Sequence, residues 1–309
     1  MILIVSHAGD DHAVAVLAEL DRGGHPVALL DTSRYPRHAA LNQEFDGRTW
    51  RRAIAFDGQT IDLTACRAAW WRRPQPYTLH DGMTHDVPGA WAALDCVWVN
   101  RPELDAVAHH KPYQLAVATR VGLTAPRTLL TNDPAAARRF IEELGVSRTI
   151  YKTFLATESC WRETRALRDE ELTLLDSVAI APVIFQEYVK AEADVRVTVV
   201  GPRIFAAAIR AAPAAYAVDY RMDLAGAQFE ALELPARTTS RIRTFMNALG
   251  LRYGALDFRR TEAGDYVFLE VNPAGEWRFV EARTGQPITA AMATLLAELD
   301  AEPSSRRRK

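Results

Sequence analysis

Leu256-Asp257-Phe258 and, after a polar turn, Leu269-Glu270-Val271-Asn272-Pro273 form the stretch on which the reading of this chain turns. Side chains two apart on a strand share a face, so Glu270 and Asn272 point one way and Leu269 and Val271 point into an apolar side. Pairing with the preceding strand pattern, Tyr253–Arg260, would bring Asp257 beside them. Two carboxylates and one amide make an all-oxygen donor set, which hard Mg²⁺ takes when phosphate oxygens complete its shell. Alone, the pair Glu270 and Asn272 fits a solvated polar sheet face equally well. The next residues, Pro273-Ala274-Gly275-Glu276-Trp277, favour a site, because glycine beside a charged and an aromatic residue suits the floor of a ligand cleft.

The neighbouring segments read as regular structure. Ile242, Phe245, Met246 and Leu249 fall at i, i+3, i+4 and i+7, and Gly250 ends that helix. Val195–Val200 and Arg203–Ile209 flank Gly201-Pro202 and read as a hairpin. Asp133 should cap a helix that starts at Pro134 and closes at Gly145. Strands are expected over Pro126–Leu130, Arg148–Phe154 and Val183–Val189. At the start, Ile2–Val5, a helix capped at Asp10–Asp11 and Val27–Leu30 form a parallel βαβ pattern. Its Ser6–Asp11 loop lacks GxGxxG, which speaks against a dinucleotide fold. From Tyr35 to Pro88 the chain reads as irregular, with short strands at Arg52–Phe56 and Ala68–Trp71. Helix and strand resume from Trp91 to Arg101, a last helix covers Ile288–Leu299, and Pro303–Lys309 should be a disordered basic tail.

Composition excludes several classes. With 309 residues the chain should hold two domains or three small ones. Its net charge is −2, and four of the positive charges sit in the last six residues, so the body lacks the basic excess that duplex nucleic acid demands. Hydrophobic residues at 49% and charged residues at 25% are globular values. No run of eighteen apolar residues exists, and MILIVSHAGDD turns acidic after five residues, as a buried strand does and a signal peptide does not. Cys66, Cys96 and Cys160 lack CxxC spacing and give neither a disulfide framework nor a zinc site. The expectation is a soluble cytoplasmic α/β enzyme without nucleic-acid or membrane partners.

Further clues accompany the acidic strand. Lys152 sits mid-strand, where a point charge can meet phosphate, although an edge strand would leave it merely solvated. Phe185-Gln186-Glu187-Tyr188-Val189 is an apolar strand that ends in polar residues and a bend, a form that suits reading a base edge or simply a strand reaching the surface. Asp194 and Arg196 again share a face. His7, His80, His85 and His109-His110 show no partner spacing for nucleophilic catalysis.

In this order and spacing the chain resembles the ATP-grasp superfamily, through most of Lys111 to Glu276. Within it the chain looks most like the graspetide synthetases, the microviridin-type peptide-macrocyclising ligases. Ala69-Trp70-Trp71-Arg72-Arg73-Pro74, Asn100-Arg101-Pro102 leading to Lys111 and Gln114-Leu115, and Gly122 to Pro134 extend the likeness to about two-thirds of the chain. The resemblance implies an α/β ATP-grasp fold: an N-terminal pre-ATP-grasp domain (1–110), a small central subdomain (111–187), a C-terminal subdomain clasping ATP (188–302) and the tail (303–309). It implies ATP and Mg²⁺ as cofactors. Lys111 and Lys152 would contact phosphates, Gln186, Glu187 and Val189 would line the adenine, and Asp194 would lie near the ribose. Arg196, Arg210 and Arg221 would face phosphate or carboxylate, with Asp257, Glu270 and Asn272 on Mg²⁺. The implied reaction is ADP-forming: a carboxylate of a precursor peptide with leader and acidic core becomes an acyl phosphate, then an ester or amide. Arg72 and Arg73 are further candidates for binding that acidic peptide. A homodimer is implied too. The stretch Leu155–Arg165 contains no glycine, unlike the phosphate lid of many superfamily members. Two other readings remain: a ligase of the same fold for small amino acids or for adding glutamate to a protein, and a nucleotide-binding regulator without turnover.

Overall fold

A computed structural model describes residues 1–81, 85–152, 165–211 and 226–302. Along them run β1 (Ile2–Val5), α1 (Asp11–Arg22), β2 (Val27–Leu30), β3 (Ala39–Phe45), β4 (Trp50–Phe56), β5 (Gln59–Asp62), β6 (Ala68–Trp71), α2 (Val87–Ala92), β7 (Val97–Val99), α3 (Pro102–Ala108) and α4 (Lys111–Arg120). There follow β8 (Thr128–Thr131), α5 (Pro134–Leu144), β9 (Thr149–Lys152), β10 (Arg165–Ala166), β11 (Val183–Glu187), β12 (Ala193–Val200), β13 (Arg203–Arg210), β14 (Gln228–Ala231) and α6 (Ala236–Leu249). The chain then forms β15 (Tyr253–Arg260), β16 (Tyr266–Asn272), α7 (Arg278–Thr284) and α8 (Ile288–Ala301).

Four sheets result. The order β2-β1-β6-β7 is parallel throughout, built on the apolar run at the N-terminus. Asp10 caps α1 by accepting from the N–H groups of His12 and Ala13, as the polar residue ahead of an apolar periodicity should. The span read as irregular instead contributes the antiparallel sheet β3-β4-β5. Its largely exposed outer strand has little apolar alternation to betray it. A third sheet, β10-β9-β11-β8, carries α5 on one face, with Asp133 and Gly145 capping the helix as expected. Here β9 is an interior strand, and Lys152 at its end stands opposite Ile184 of β11.

The fourth sheet, β14-β13-β12-β15-β16, is antiparallel and positions the acidic residues. One face is apolar: Val195, Val197, Leu256, Phe258, Phe268 and Val271 pack against Phe245, Met246 and Leu249 of α6 and Val117 of α4. Thus α4, at the start of the expected central unit, shares the core of the C-terminal sheet. Likewise α8 lies against α1 and β6, its Met292 and Leu296 in one core with Ile2, Ile4 and Trp70. Leu269 departs from the simple alternation. The register steps from Asp257↔Glu270 to Phe258↔Phe268, leaving Leu269 as an extra residue. That bulge turns Phe268 into the core while Glu270, two residues on, faces the other side.

Candidate active site

Pairing register alone places the acidic set. Across β12, β15 and β16, Arg196 stands opposite Asp257, Asp257 opposite Glu270, and Asn272 opposite Ala255, one step along the same face. Arg196 Nη1 donates to Asp257 Oδ1 at 2.7 Å. Lys111, the first residue of α4, forms an ion pair with Glu270. Arg259 pairs with Asp194 at 3.2 Å on the same face. Three carboxylates and three cations therefore alternate over the sheet, and the Phe279 ring lies 5.5 Å from the Arg196 guanidinium. Asp257 and Glu270 keep part of their surface exposed. The donor set of two carboxylates and one amide oxygen fits Mg²⁺ in kind.

Other expected residues are placed differently. Lys152 shares a face of the third sheet with Ile150, Ile184 and Gln186. Gln186 is buried, and its Nε2 donates to Thr128 Oγ1 at 2.9 Å, while its Oε1 has no partner. A buried acceptor left open is what a donor-bearing ligand such as a base edge would satisfy. Glu187 pairs with Arg148 at 2.9 Å, and both Glu187 and Val189 line a cleft of about 390 Å³ bounded also by Thr124, Pro126 and Tyr188. Gln186 is not part of that wall. Arg210 is not brought to the acidic face: it alternates onto the opposite side of the sheet and donates to Glu230 at 2.8 Å. Arg221, Cys160 and most of the glycine-free stretch 155–165 lie outside the described residues, as does the 303–309 tail.

Arg72 overturns its expected role. It is fully buried and cannot meet a peptide at the surface. Its Nε donates to Asp10 Oδ2 at 3.0 Å, and its Nη1 donates to the carbonyls of Ala274 and Gly275, each at 2.7 Å. Arg73 also turns to this loop, donating to Ala274 O and to Glu276. Sequence reasoning missed three further groups here. Asn100 Nδ2 donates to Pro273 O at 3.2 Å, Tyr253 Oη donates to Gly275 O at 2.7 Å, and His12 Nε2 accepts from the N–H of Trp277 at 3.0 Å. Because His12 Nε2 accepts, its proton sits on Nδ1, which donates to Asp11 Oδ1 at 2.7 Å. The cluster Asp10, Asp11 and His12 is thus engaged in holding the loop. Burial pushes the Asp10 carboxyl up, but His12, Arg72 and the Ala13 N–H outweigh it and hold the group well below the usual carboxylate range. Full burial pushes the Tyr253 phenol up to about 12.

Comparison with known proteins agrees with this architecture. Residues 1–101 match the family described as MvdD pre-ATP grasp domain, and residues 108–296 match the RimK-like ATP-grasp domain. The fold is similar to that of macrocyclase MdnC bound with precursor peptide MdnA from Microcystis aeruginosa MRC, at 27% identity and a TM-score of 0.85, covering 96% of this chain and 99% of that one. Macrocyclase MdnB from the same organism is similar at 28% identity and a TM-score of 0.78, over 96% and 98% of the two chains. ATP-grasp ligase PsnB, complexed with minimal precursor, Mg and ADP, is similar at 26% identity and 0.78, over 97% of each chain. No curated protein matches the chain significantly. Among the described residues no helix is long and apolar enough to cross a membrane.

Proposed function

Since the chain belongs to the RimK-like ATP-grasp family, we propose that it is a graspetide synthetase, an ATP-grasp ligase that closes ester or amide macrocycles on a ribosomal precursor peptide. The observation that carries this reading is likeness over nearly the whole chain to a macrocyclase bound with its precursor peptide and to an ATP-grasp ligase complexed with a minimal precursor.

In this reading Asp257, Glu270 and Asn272 would hold Mg²⁺, with Lys111 and Arg196 paired to the two carboxylates. Lys152 directs its charge at phosphate, Gln186, Glu187 and Val189 receive the adenine, and Asp194 lies toward the ribose. Magnesium and ATP together supply the phosphoryl group that activates a carboxylate and the positive charge that balances it. The protein's own work is positioning and electrostatics, for which it needs no covalent nucleophile. A core peptide that brings Asp and Glu side chains would supply the carboxylates that such a ligase activates. The division into units at 111 and 188, a homodimer and a cytoplasmic setting belong to the same proposal.

Incubation of the protein with ATP, Mg²⁺ and a Thr/Ser- and Glu/Asp-rich peptide that carries its leader tests the function. Mass spectrometry should find successive losses of one water. Mass gains of whole amino-acid residues, each the free amino acid less one water, in place of net losses of water from the peptide would replace macrocyclisation by the small-substrate ligase reading.

A further inference from the structure

The loop after Asn272 is tied down from another domain. The carbonyls of Pro273, Ala274 and Gly275 accept in succession from Asn100, Arg72 and again Arg72 with Tyr253. Asn100 and Arg72 both leave the C-terminal ends of strands in the parallel N-terminal sheet. Both peptide groups that flank the Ala274 Cα are held: its carbonyl by Arg72 and Arg73, and its N–H by Asn272 Oδ1 at 2.9 Å. The Asn272 amide is thus tied to a residue that the two arginines hold on its other side. Gly275 admits no looser packing, since a Cβ there would lie 2.4 Å from Ala255 Cβ and 3.2 Å from Asn272 O. Arg72 is in turn fixed by Asp10 and by the Trp70 and Trp277 rings, 5.9 and 5.4 Å from its guanidinium.

We propose that Arg72 is a positioning residue for the Asn272 amide, through which the N-terminal domain sets the affinity of the metal site. The inference rests on the reading of Asn272 as a metal ligand. A planar fork is needed: three acceptors on two elements are reached from one rigid group, which a lysine ammonium on a flexible stem cannot do. Outer groups that orient a ligand ordinarily change metal affinity by about 10–100-fold.

The test measures Mn²⁺ binding to the ADP complex by electron paramagnetic resonance, and ADP binding in EDTA, for wild type and three variants. Arg72→Lys should weaken Mn²⁺ binding by about tenfold or more while metal-free ADP binding stays within about twofold. Tyr253→Phe, which removes one hydroxyl from Gly275 O and preserves ring volume, should weaken Mn²⁺ binding in the same direction by a few-fold, and it decides the matter if Arg72→Lys does not fold. Asn272→Ala should lose Mn²⁺ binding most. If Asn272→Ala weakens Mn²⁺ while Arg72→Lys and Tyr253→Phe bind like wild type, the positioning role is overturned and the metal assignment stands. If Asn272→Ala also binds Mn²⁺ like wild type, the metal assignment falls and the positioning role falls with it. Equal weakening of Mn²⁺ and metal-free ADP in Arg72→Lys would mean a general loosening of the fold, which overturns the proposal too.

Discussion

Arg196 donates from Nη1 to Asp257 Oδ1 at 2.7 Å, straight across the ladder between β12 and β15. Asp257 faces a second carboxylate, Glu270, across the next ladder. Like charges directly opposite on neighbouring strands repel. Arg196 on one side and Lys111 on the other offset that repulsion, so two acids can share a face before any metal arrives. The arrangement also orders the effects of mutation. Removing a cation should hurt the fold as well as the reaction, because it leaves two carboxylates facing each other with less to offset them.

Arg196→Met is accordingly expected to lower both stability and turnover. Its side chain is largely buried, and the substitution removes its charged hydrogen bond to Asp257. The loss should be about 1–3 kcal/mol, the usual contribution of a hydrogen bond to a charged group. Urea denaturation checks this, and an unchanged midpoint would show that the pair contributes nothing to the fold.

Glu270→Gln and Asn272→Ala should still fold yet lose ATP-dependent peptide modification. Neither side chain belongs to the apolar core beneath β16, where Val271 and Phe268 are packed. Wild-type turnover by purified Glu270→Gln at saturating Mg²⁺ would remove Glu270 from the metal site.

Gly275→Ala should destabilise the protein by about 1–3 kcal/mol, because overpacking forces a shift at a place held from several sides. The added methyl would collide with Ala255 Cβ at 2.4 Å. Ala255→Gly in the same chain should recover part of the loss, and the double-mutant cycle should show a coupling well above the error of measurement. Strict additivity would contradict the collision as the cause.

Asp105 gives a pH dependence. Burial raises its carboxyl from 3.8 to about 6, opposed by His109 and Arg72, and its Oδ2 has no partner. The folded pKa lies above the unfolded one, so the contribution of this group is fully present below about pH 3.8 and is lost as pH rises through about 6. Stability contributed by Asp105 should therefore fall across that window, and Asp105→Asn should flatten the decline. Thermal midpoints of the two proteins across the window measure it; parallel curves would show that Asp105 titrates alike in both states.

Legibility of the sequence followed the range of the interaction. β15 and β16 have the limits read from alternation, and α5 has the expected caps, because such signals lie within a few residues. The bulge at Leu269 escaped, since a period of two has no place for an extra residue. The attachment of α4 to the C-terminal sheet and of α8 to the parallel one also escaped, because an apolar stripe does not name the surface it meets. The clamp on the Pro273–Trp277 loop was the least legible part. Arg72 bonds Gly275, 203 residues away, and its acceptors are backbone carbonyls that every residue owns. A single hint existed: a charge directly continuing the buried strand Ala68–Trp71.

Gln186 offers the sharpest test of base recognition. Thr128 Oγ1 donates its one proton to Pro126 O at 3.0 Å, so it can only accept from Gln186. That fixes the amide: Nε2 toward Thr128, and Oε1 as the buried acceptor without a partner. Adenine offers an exocyclic N–H donor at the position where guanine offers a carbonyl oxygen. On the proposed reading, in which Gln186 receives the adenine, this open acceptor should thus favour ATP over GTP. Sites that hydrogen-bond their substrate discriminate strongly, because the wrong partner leaves buried groups unpaired. Gln186→Ala should shrink the ratio of kcat/KM for ATP to that for GTP by about tenfold or more, mainly through weaker ATP binding. Gln186→Leu, which fills the space without an acceptor, should do the same and separates lost hydrogen bonding from lost volume. An unchanged ratio in both variants would leave Gln186 as a strand residue that braces Thr128 and reads no base.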